Sequence, residues 1–414
     1  MPKLWLINQF ANTPDLPGHT RQYEVAAGLV QAGWTVQVFA SDFNLTQRRY
    51  RRLRGLRLWG HEHPSGIHWT WLWASPYRAN DWRRQWNMLS FCLHLVLHLL
   101  PLGLWQRLRG TAPDVVVASS PQLPAAWTCL WIARLLRVAY VVEIRDLWPQ
   151  VLIDQGGKSP TSALVRVLAM MERQVYAGAR TVVVLAQGAE GYVQQRGARS
   201  TAWLPNGPDL AQFKAQPLPA DAERFVVLYA GAHGEANGLE HVIEAARLLE
   251  QRQPGRFCFQ WVGDGPEKPR LIRQAAGLAS VVFEAPIPKQ QMPARMAAAD
   301  AVLLSLKDVP LFRYGVSPNK LYDAYAVGRP VITTVPGAIQ AEVEQHQVGV
   351  TAPPGQPRAL ADAVAGLAAL PRQEREAMGR RARLLAERVY GRQRVIAAYA
   401  VSYTHLRAHE TLRY

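Results

Sequence analysis

The stretch SPNKLYDAYAVGRPVITT, Ser317 to Thr334, holds a complete helix-then-strand unit. Pro318 and Asn319 are helix-start residues, and Leu321, Tyr325 and Ala326 recur at helical spacing. Gly328 stands where a C-cap belongs, and Pro330 keeps the helix from continuing. Val331 to Thr334 then read as a buried parallel strand. A helix start presents unpaired N–H groups and a partial positive charge, to which Lys320 adds a full one; such a place can hold a phosphate. A solvated lysine on an ordinary helix would be spelled the same way, so the rest of the chain must decide.

The same alternation runs in both directions from this unit. Upstream in the second half, strands are expected at Phe225–Tyr229, Phe257–Val262, Val281–Glu284 and Ala301–Leu304, and downstream at Val348–Thr351. Helical patterns at Leu239–Glu250, Pro293–Ala299 and Leu360–Leu370 separate them. The first half repeats the theme. Strands are expected at Leu4–Asn8, Thr35–Ala40, Ile67–Leu72, Val115–Ser119, Tyr140–Ile144, Thr181–Leu185 and Ala202–Leu204, with helices such as Gln22–Ala32 and Leu123–Leu136 between them. Apolar, β-branched strands alternating with helices mean parallel sheets covered on both faces. The expected fold is α/β, with two doubly wound Rossmann-like domains: residues 1–205, a Pro-rich linker at 206–224, and residues 225–400. Ligands of such sheets bind at the carboxyl ends of the strands, here facing a cleft. The last stretch, Ser402–Tyr414, has little apolar periodicity. It looks like a translated sequencing adapter, foreign to the fold, and 401–414 is left out of the fold expectation.

Composition narrows the class. The 414 residues are 49% hydrophobic and 19% charged, which suits a globular chain of two domains. Cys92, Cys129 and Cys258 lie far apart with no CxxC spacing, so neither a zinc finger nor a disulfide framework is expected. MPKLWLINQF carries no secretory signal pattern, and a cytoplasmic location is expected. The net charge of +16 is concentrated in part in QRRYRRLRGLR, Gln47 to Arg57, with six arginines. Such a field attracts nucleic acid, anionic lipid or anionic metabolites. Thirteen of the fourteen tryptophans precede residue 205, among them Trp59, Trp69, Trp71, Trp73, Trp82 and Trp86 near the basic segments. Trp beside Arg is the chemistry of a membrane–water interface, which favours an anionic membrane surface as partner. Between Arg84 and Arg107 there is no formal charge. That segment reads three ways: a helix lying in the membrane plane, a buried core helix, or a true span. His94 and His98 within it are polar-face or packed residues, since no third metal ligand stands nearby.

The motifs LPNGPDLAQF, VLYAGAHGEANGLEHVIEAARLL, WVGDGPEKPRL and SPNKLYDAYAVGRPVI, in this order and spacing, resemble a retaining glycosyltransferase of family 4 with the GT-B fold. In the first half, PDVVVASSPQLPAAW and VVEIRDLWPQ are similar to the branch that builds O-antigen and capsule sugars, typified by fucosaminyl and other N-acetylaminosugar transferases. The resemblance covers the chain to about Tyr399. It implies a nucleotide-diphosphate sugar donor, such as a UDP-sugar, and a polyprenyl-diphosphate-linked or glycan acceptor. It implies transfer with retention, on the inner face of the plasma membrane, in cell-surface polysaccharide synthesis.

The resemblance also assigns residues. Gly231, Gly234 and Gly263 follow strands, where backbone amides can approach phosphate closely. The basic pair often found in that loop is missing: here it reads HGEANG, with His233 and Asn237. Neutralising the leaving group then falls to Lys320, Asn319 and the helix start, with Arg313 from LFRYG. Asp323 matches a ribose-holding glutamate as a shorter carboxylate, whereas Gly315 stands where the family has an earlier one. A first-turn acid complementing the helix dipole would look the same as Asp323. Ile287 resembles the position whose backbone meets the nucleobase, and Gly18 the glycine of the first domain's phosphate-facing loop.

Glu143, Arg145 and Asp146 close an apolar strand, so their side chains should sit at its carboxyl end. A carboxylate there could orient the acceptor hydroxyl or take its proton, and Arg145 could bind an acceptor phosphate. A structural ion pair would use the same residues. Glu172 and Arg173 read as surface helix charges. No Asp-x-Asp pair occurs, so no metal and no cofactor are expected. Three rivals are weaker. A nucleotide-sugar 2-epimerase shares the architecture but should not need a Trp-rich, membrane-seeking half. A nucleic-acid binder should show a recognition motif, and none is present, so no nucleic acid partner is expected. A Rossmann dehydrogenase should show GxGxxG after the first strand.

Overall fold

A computed structural model describes residues 1–16, 20–79, 81–220 and 223–411, the last seven by their backbone alone. The chain divides into two compact units, Met1–Leu204 with Ile396–Tyr414, and Pro205–Val395.

In the first unit the order is β1 (Lys3–Ile7), α1 (Arg21–Gln31), β2 (Thr35–Ser41), β3 (Trp59–Glu62), β4 (His68–Leu72), α2 (Trp82–Leu108), β5 (Val115–Ser120), α3 (Leu123–Leu136), β6 (Ala139–Ile144), α4 (Ala163–Gly178), β7 (Thr181–Val184) and β8 (Thr201–Trp203). They form one sheet ordered β8-β7-β6-β5-β1-β2-β4-β3. Every pairing is parallel except that of β3 with β4. Strands β5 (VVVASS) and β6 (AYVVEI) are buried along their whole length, as mainly apolar, Val-rich strands are when both faces of the sheet are covered. The strand order reverses between β1 and β5. Polar residues at the carboxyl ends of β1, β5 and β6 therefore gather at one switch point.

The second unit has β9 (Phe225–Ala230), α5 (Leu239–Arg252), β10 (Phe257–Val262), β11 (Val281–Glu284), β12 (Ala301–Leu304), α6 (Asn319–Val327), β13 (Val331–Thr333), β14 (Gly349–Thr351), α7 (Pro357–Ala369) and α8 (Arg372–Leu385). Its six strands are all parallel, ordered β11-β10-β9-β12-β13-β14, with the switch point between β9 and β12. The core lies between the sheet and helices α5 and α7, with Trp261, Tyr229 and Phe259 among its fully buried rings.

Three features depart from the sequence reading. Residues 206–220 of the stretch expected to be a linker belong to the second unit, with Phe213 and Leu218 buried. Arg329, itself fully buried, donates to the carbonyls of Gln216 (2.9 Å), Pro217 (2.6 Å) and Ala297 (2.6 Å). Arg372 donates to those of Leu218 and Pro219. The final helix, α9 (Arg392–Thr411), runs through the stretch set aside as foreign. Its Tyr403 is buried against Trp34 and Tyr399, and Ile396 packs on Gly28 of α1. Trp69 and Trp71, grouped above with interface tryptophans, are instead core residues of β4.

Candidate active site

In the second unit, the carboxyl ends of β9 and β10 meet through glycine. A Cβ on Gly263 would lie 1.9 Å from the carbonyl oxygen of Gly231, and the two residues have φ near 149° and 151°. Only glycine permits that approach at that backbone angle. The two following loops are zipped together. Gly231 N–H donates to Val262, His233 N–H to Asp264 and Glu267 N–H to His233. Lys268 Nζ ties the carbonyls of Gly263 and Glu284, each at 2.7 Å. Lys268 was passed over in the sequence reading because nothing in DGPEK distinguishes a staple from a surface charge.

Lys320 stands in the first turn of α6, whose N-terminus has no side-chain cap. Its ammonium lies 4.1 Å from the centroid of the Tyr229 ring, and a Cβ on Gly231 would sit 3.2 Å from its Nζ. Burial pushes its pKa down to about 8, and among the described residues no carboxylate offsets that shift. A desolvated cation beside a glycine loop and an uncapped helix start is a place prepared for an anion. His233 completes the loop. Its ring is buried among Tyr229, Trp261 and Phe283, and neither ring nitrogen has a hydrogen-bond partner among the described residues. Burial, then the Lys268 charge, lowers its pKa and keeps the imidazole neutral.

The other expected donor residues are placed less uniformly. Gly234 and Asn237 share the turn before α5, where Asn237 Nδ2 donates to the Gly234 carbonyl at 3.4 Å. Asn319 is exposed at the first position of α6, and Asp323 lies half-buried one turn on. Ile287 is half-buried in the loop after β11. Arg313 is 65% exposed and pairs with Asp308 at 3.3 Å, so its charge is already engaged by a carboxylate. Gly18 lies outside the described residues.

In the first unit, Glu143 stands next to last in β6 with both carboxylate oxygens occupied. Ser119 Oγ (2.9 Å) and Gln22 Nε2 (3.1 Å) donate to one. Tyr399 Oη and Arg21 Nε serve the other, the latter at 3.5 Å. Burial raises its pKa, but Arg21 and Arg145, with these hydrogen bonds, outweigh it and hold the carboxyl below its usual range. Glu143 is thus the hub of a buried network that ties α1, β5, β6 and α9 together. Arg145 reaches Gln22 Oε1 at 3.4 Å, and Asp146 is exposed. Of the three residues, Asp146 is the most exposed, although partial burial of its carboxyl raises its pKa. Glu172 is not a surface charge: it is 1% exposed, pairs with Arg196 at 3.3 Å, and burial pushes its pKa up to about 7. Sequence reasoning also missed Asn8, Gln9 and Gln122 at the carboxyl ends of β1 and β5. Each is buried with one side-chain atom unpartnered among the described residues, although the polar run after an apolar strand was visible in INQF.

The chain was compared with known proteins. The family described as glycosyl transferase 4-like domain matches residues 18–207, and the family described as glycosyl transferases group 1 matches residues 224–369. WbjE of Pseudomonas aeruginosa, named as a glycosyltransferase, is 24% identical over 61% of this chain and 64% of its own length. WcaI of Escherichia coli, named as a colanic acid biosynthesis glycosyl transferase, is 24% identical over 63% of this chain and 65% of its own length. The chain therefore spans just under two thirds of these curated relatives. Among solved structures, sucrose-phosphate synthase from Thermosynechococcus elongatus superposes with a TM-score of 0.73 at 18% identity, covering 99% of this chain and all of that one. HepE of Anabaena, solved with UDP, gives 0.66 at 18% identity over 98% of this chain and all of that one.

Proposed function

Because the chain belongs to the GT-B glycosyltransferases, carrying a glycosyl transferase 4-like domain followed by a group 1 domain, we propose that its second unit binds a nucleotide-diphosphate sugar through Lys320 and the Gly231 loop. The observation that carries this is the Lys320 ammonium, desolvated without a carboxylate partner and set against Gly231 and the open start of α6. A diphosphate there receives a full charge, backbone N–H groups and the helix dipole, the stabilisation a departing nucleoside diphosphate needs. UDP is the nucleotide of choice for a first test, since HepE of the same fold was solved with it. Asp323 is assigned to the ribose and Ile287 to the base. In the first unit, Asp146 and Arg145 are assigned to the acceptor, and Glu143 to holding Arg21 and the strand ends in place.

The transfer proceeds with retention and without a metal ion, to a lipid-linked or glycan acceptor in cell-surface polysaccharide synthesis. The relatives named for colanic acid biosynthesis support that setting. An epimerase reading is not favoured, since both domain matches and the named relatives are glycosyl transferases. Calorimetric titration tests the donor site. UDP should bind, and Lys320→Ala should weaken it by about 1.5–3 kcal/mol, the range of a charge-assisted hydrogen bond. Equal affinity in the two proteins removes the phosphate role from Lys320. Transfer abolished by EDTA and restored by manganese, or an inverted product by NMR, overturns the metal-free retaining route.

A further inference from the structure

Helix α2 has two dissimilar sides. One side is fixed in the first unit: Phe91, Leu95 and Leu99 are fully buried, and Gly103 sits against Leu136 and Trp5 so closely that a Cβ would lie 2.3 Å from the leucine. Asn87 joins Gln9 and Ser75 in a buried hydrogen-bonded set. The other side shows Trp82, Trp86, Leu93, Leu97 and Trp105 to solvent, with Trp82 at 69% and Leu97 at 60% exposure. This apolar side does not end at the helix. Helix α3 packs beside α2 and exposes Trp131 and Leu135, and α4 packs beside α3 and exposes Leu164 and Val167.

Apart from one buried acid, charge on these helices has one sign. Across α2, α3 and α4 there are six arginines (Arg83, Arg84, Arg107, Arg134, Arg166 and Arg173) and one acid, Glu172, which is buried on Arg196. Arginines also lie over the tryptophans: Arg109 is 4.2 Å from the Trp105 centroid, Arg134 4.8 Å from Trp131, and Arg83 5.7 Å from Trp82. Stacked guanidinium–indole pairs suit a headgroup layer, where the ring is half in hydrocarbon and the cation meets lipid phosphate.

We infer that the α2–α3–α4 face is a docking surface for an anionic lipid bilayer, with α2 lying in the plane of the interface. By length and composition the helix is long and apolar enough to cross a membrane. Its inner side, however, is locked to the sheet over several turns, so it cannot cross without carrying the first unit into the hydrocarbon. The in-plane arrangement buries the exposed leucines and tryptophans in lipid, leaves the domain in water and places the arginines on the phosphates. This goes beyond the sugar-transfer reading and stands apart from it, because lipid binding and UDP binding are read by separate measurements.

Flotation of the full chain decides it, using vesicles of phosphatidylcholine alone or with one third phosphatidylglycerol, at low and high salt. Wild type should float with the anionic vesicles and only partly release at high salt, since the apolar contribution is not screened. Leu93→Asp/Leu97→Asp should reduce partitioning about tenfold or more, as expected for apolar side chains that no longer insert. Arg83→Glu/Arg84→Glu should lower flotation on anionic vesicles and leave the weaker binding to neutral ones unchanged. Both variants alter exposed or half-buried positions, and an unchanged melting curve and UDP isotherm should show that they fold. Wild type left at the bottom at low salt overturns the inference, as does equal flotation of Leu93→Asp/Leu97→Asp. Light scattering that shows a wild-type dimer, split by that same variant and indifferent to vesicles, would instead assign the face to a second copy of the chain.

Discussion

The Lys320 ammonium is held in an unfavourable place in the free protein, and two measurements should expose it. Its pKa falls from 10.5 to about 8, so the unfolded chain binds more protons between those values and stability should rise with pH across that window. Below about pH 8 the penalty is fully present. It is at most about 3 kcal/mol, and less for a side chain that keeps some water contact. Lys320→Met should therefore raise the melting temperature of the second unit by a few degrees while weakening UDP binding. A diphosphate would draw the pKa back up. UDP affinity should fall as pH rises through about 8, by up to tenfold per unit, with proton uptake on binding. Titrations in buffers of differing ionisation enthalpy check both effects, and Lys320→Met should show neither. Glu143 should behave in the opposite way. Glu143→Gln strands Arg21 in the interior and should cost about 3 kcal/mol. Because its folded pKa is lowered, the wild-type contribution is full above the usual carboxylate pKa and disappears as pH falls through the folded value. Chemical denaturation of the two proteins at neutral and acidic pH should show the gap closing on acidification.

At the scale of elements, the loops after β9 and β10 act as one device. Gly263→Ala would drive a methyl into the Gly231 carbonyl at a backbone angle that L residues rarely adopt. It should destabilise the second unit by about 1–3 kcal/mol and weaken UDP binding at least as much as Lys320→Ala, because the loop itself moves. Denaturation and calorimetry on that variant check this. Its failure to alter either would mean the glycines shape no binding loop. All thirteen strands expected from alternation and β-branched runs are present, with ends shifted by a residue or so, because fully buried parallel strands spell themselves as apolar runs. Strand β3 and the short hairpin at Phe43–Asn44 and Arg49–Tyr50 were not legible. WGHE and RY are too short to show a period, and each pairs with a segment only 5 to 13 residues away, so turn geometry and packing set them rather than an apolar run. Arg329 was equally hidden: GRP signals a helix stop, while the carbonyls that clasp the arginine arrive from residues 216, 217 and 297.

At the scale of the molecule, two units with separate cores should unfold in two transitions. UDP should raise only the second unit's transition, by mass action on the folded state it binds. Removing residues 396–414 should lower the first unit's transition instead, although the cut is at the far end of the chain, because Tyr399 bonds Glu143 and Tyr403 packs on Trp34. Scanning calorimetry on the truncated chain checks this; an unshifted first transition would detach α9 from that core. The sequence by itself determined the two parallel sheets, the glycine loop and the charged helix start, since periodicity, helix caps and glycine are local statements of backbone geometry. Only the tertiary structure decided which charges are free. Lys320 and Arg313 look alike as letters, as do Glu143 and Asp146. Whether a side chain meets a partner, a ring or solvent depends on how the chain folds back on itself: Lys320 meets the Tyr229 ring and Glu143 meets Tyr399, neither of them a sequence neighbour.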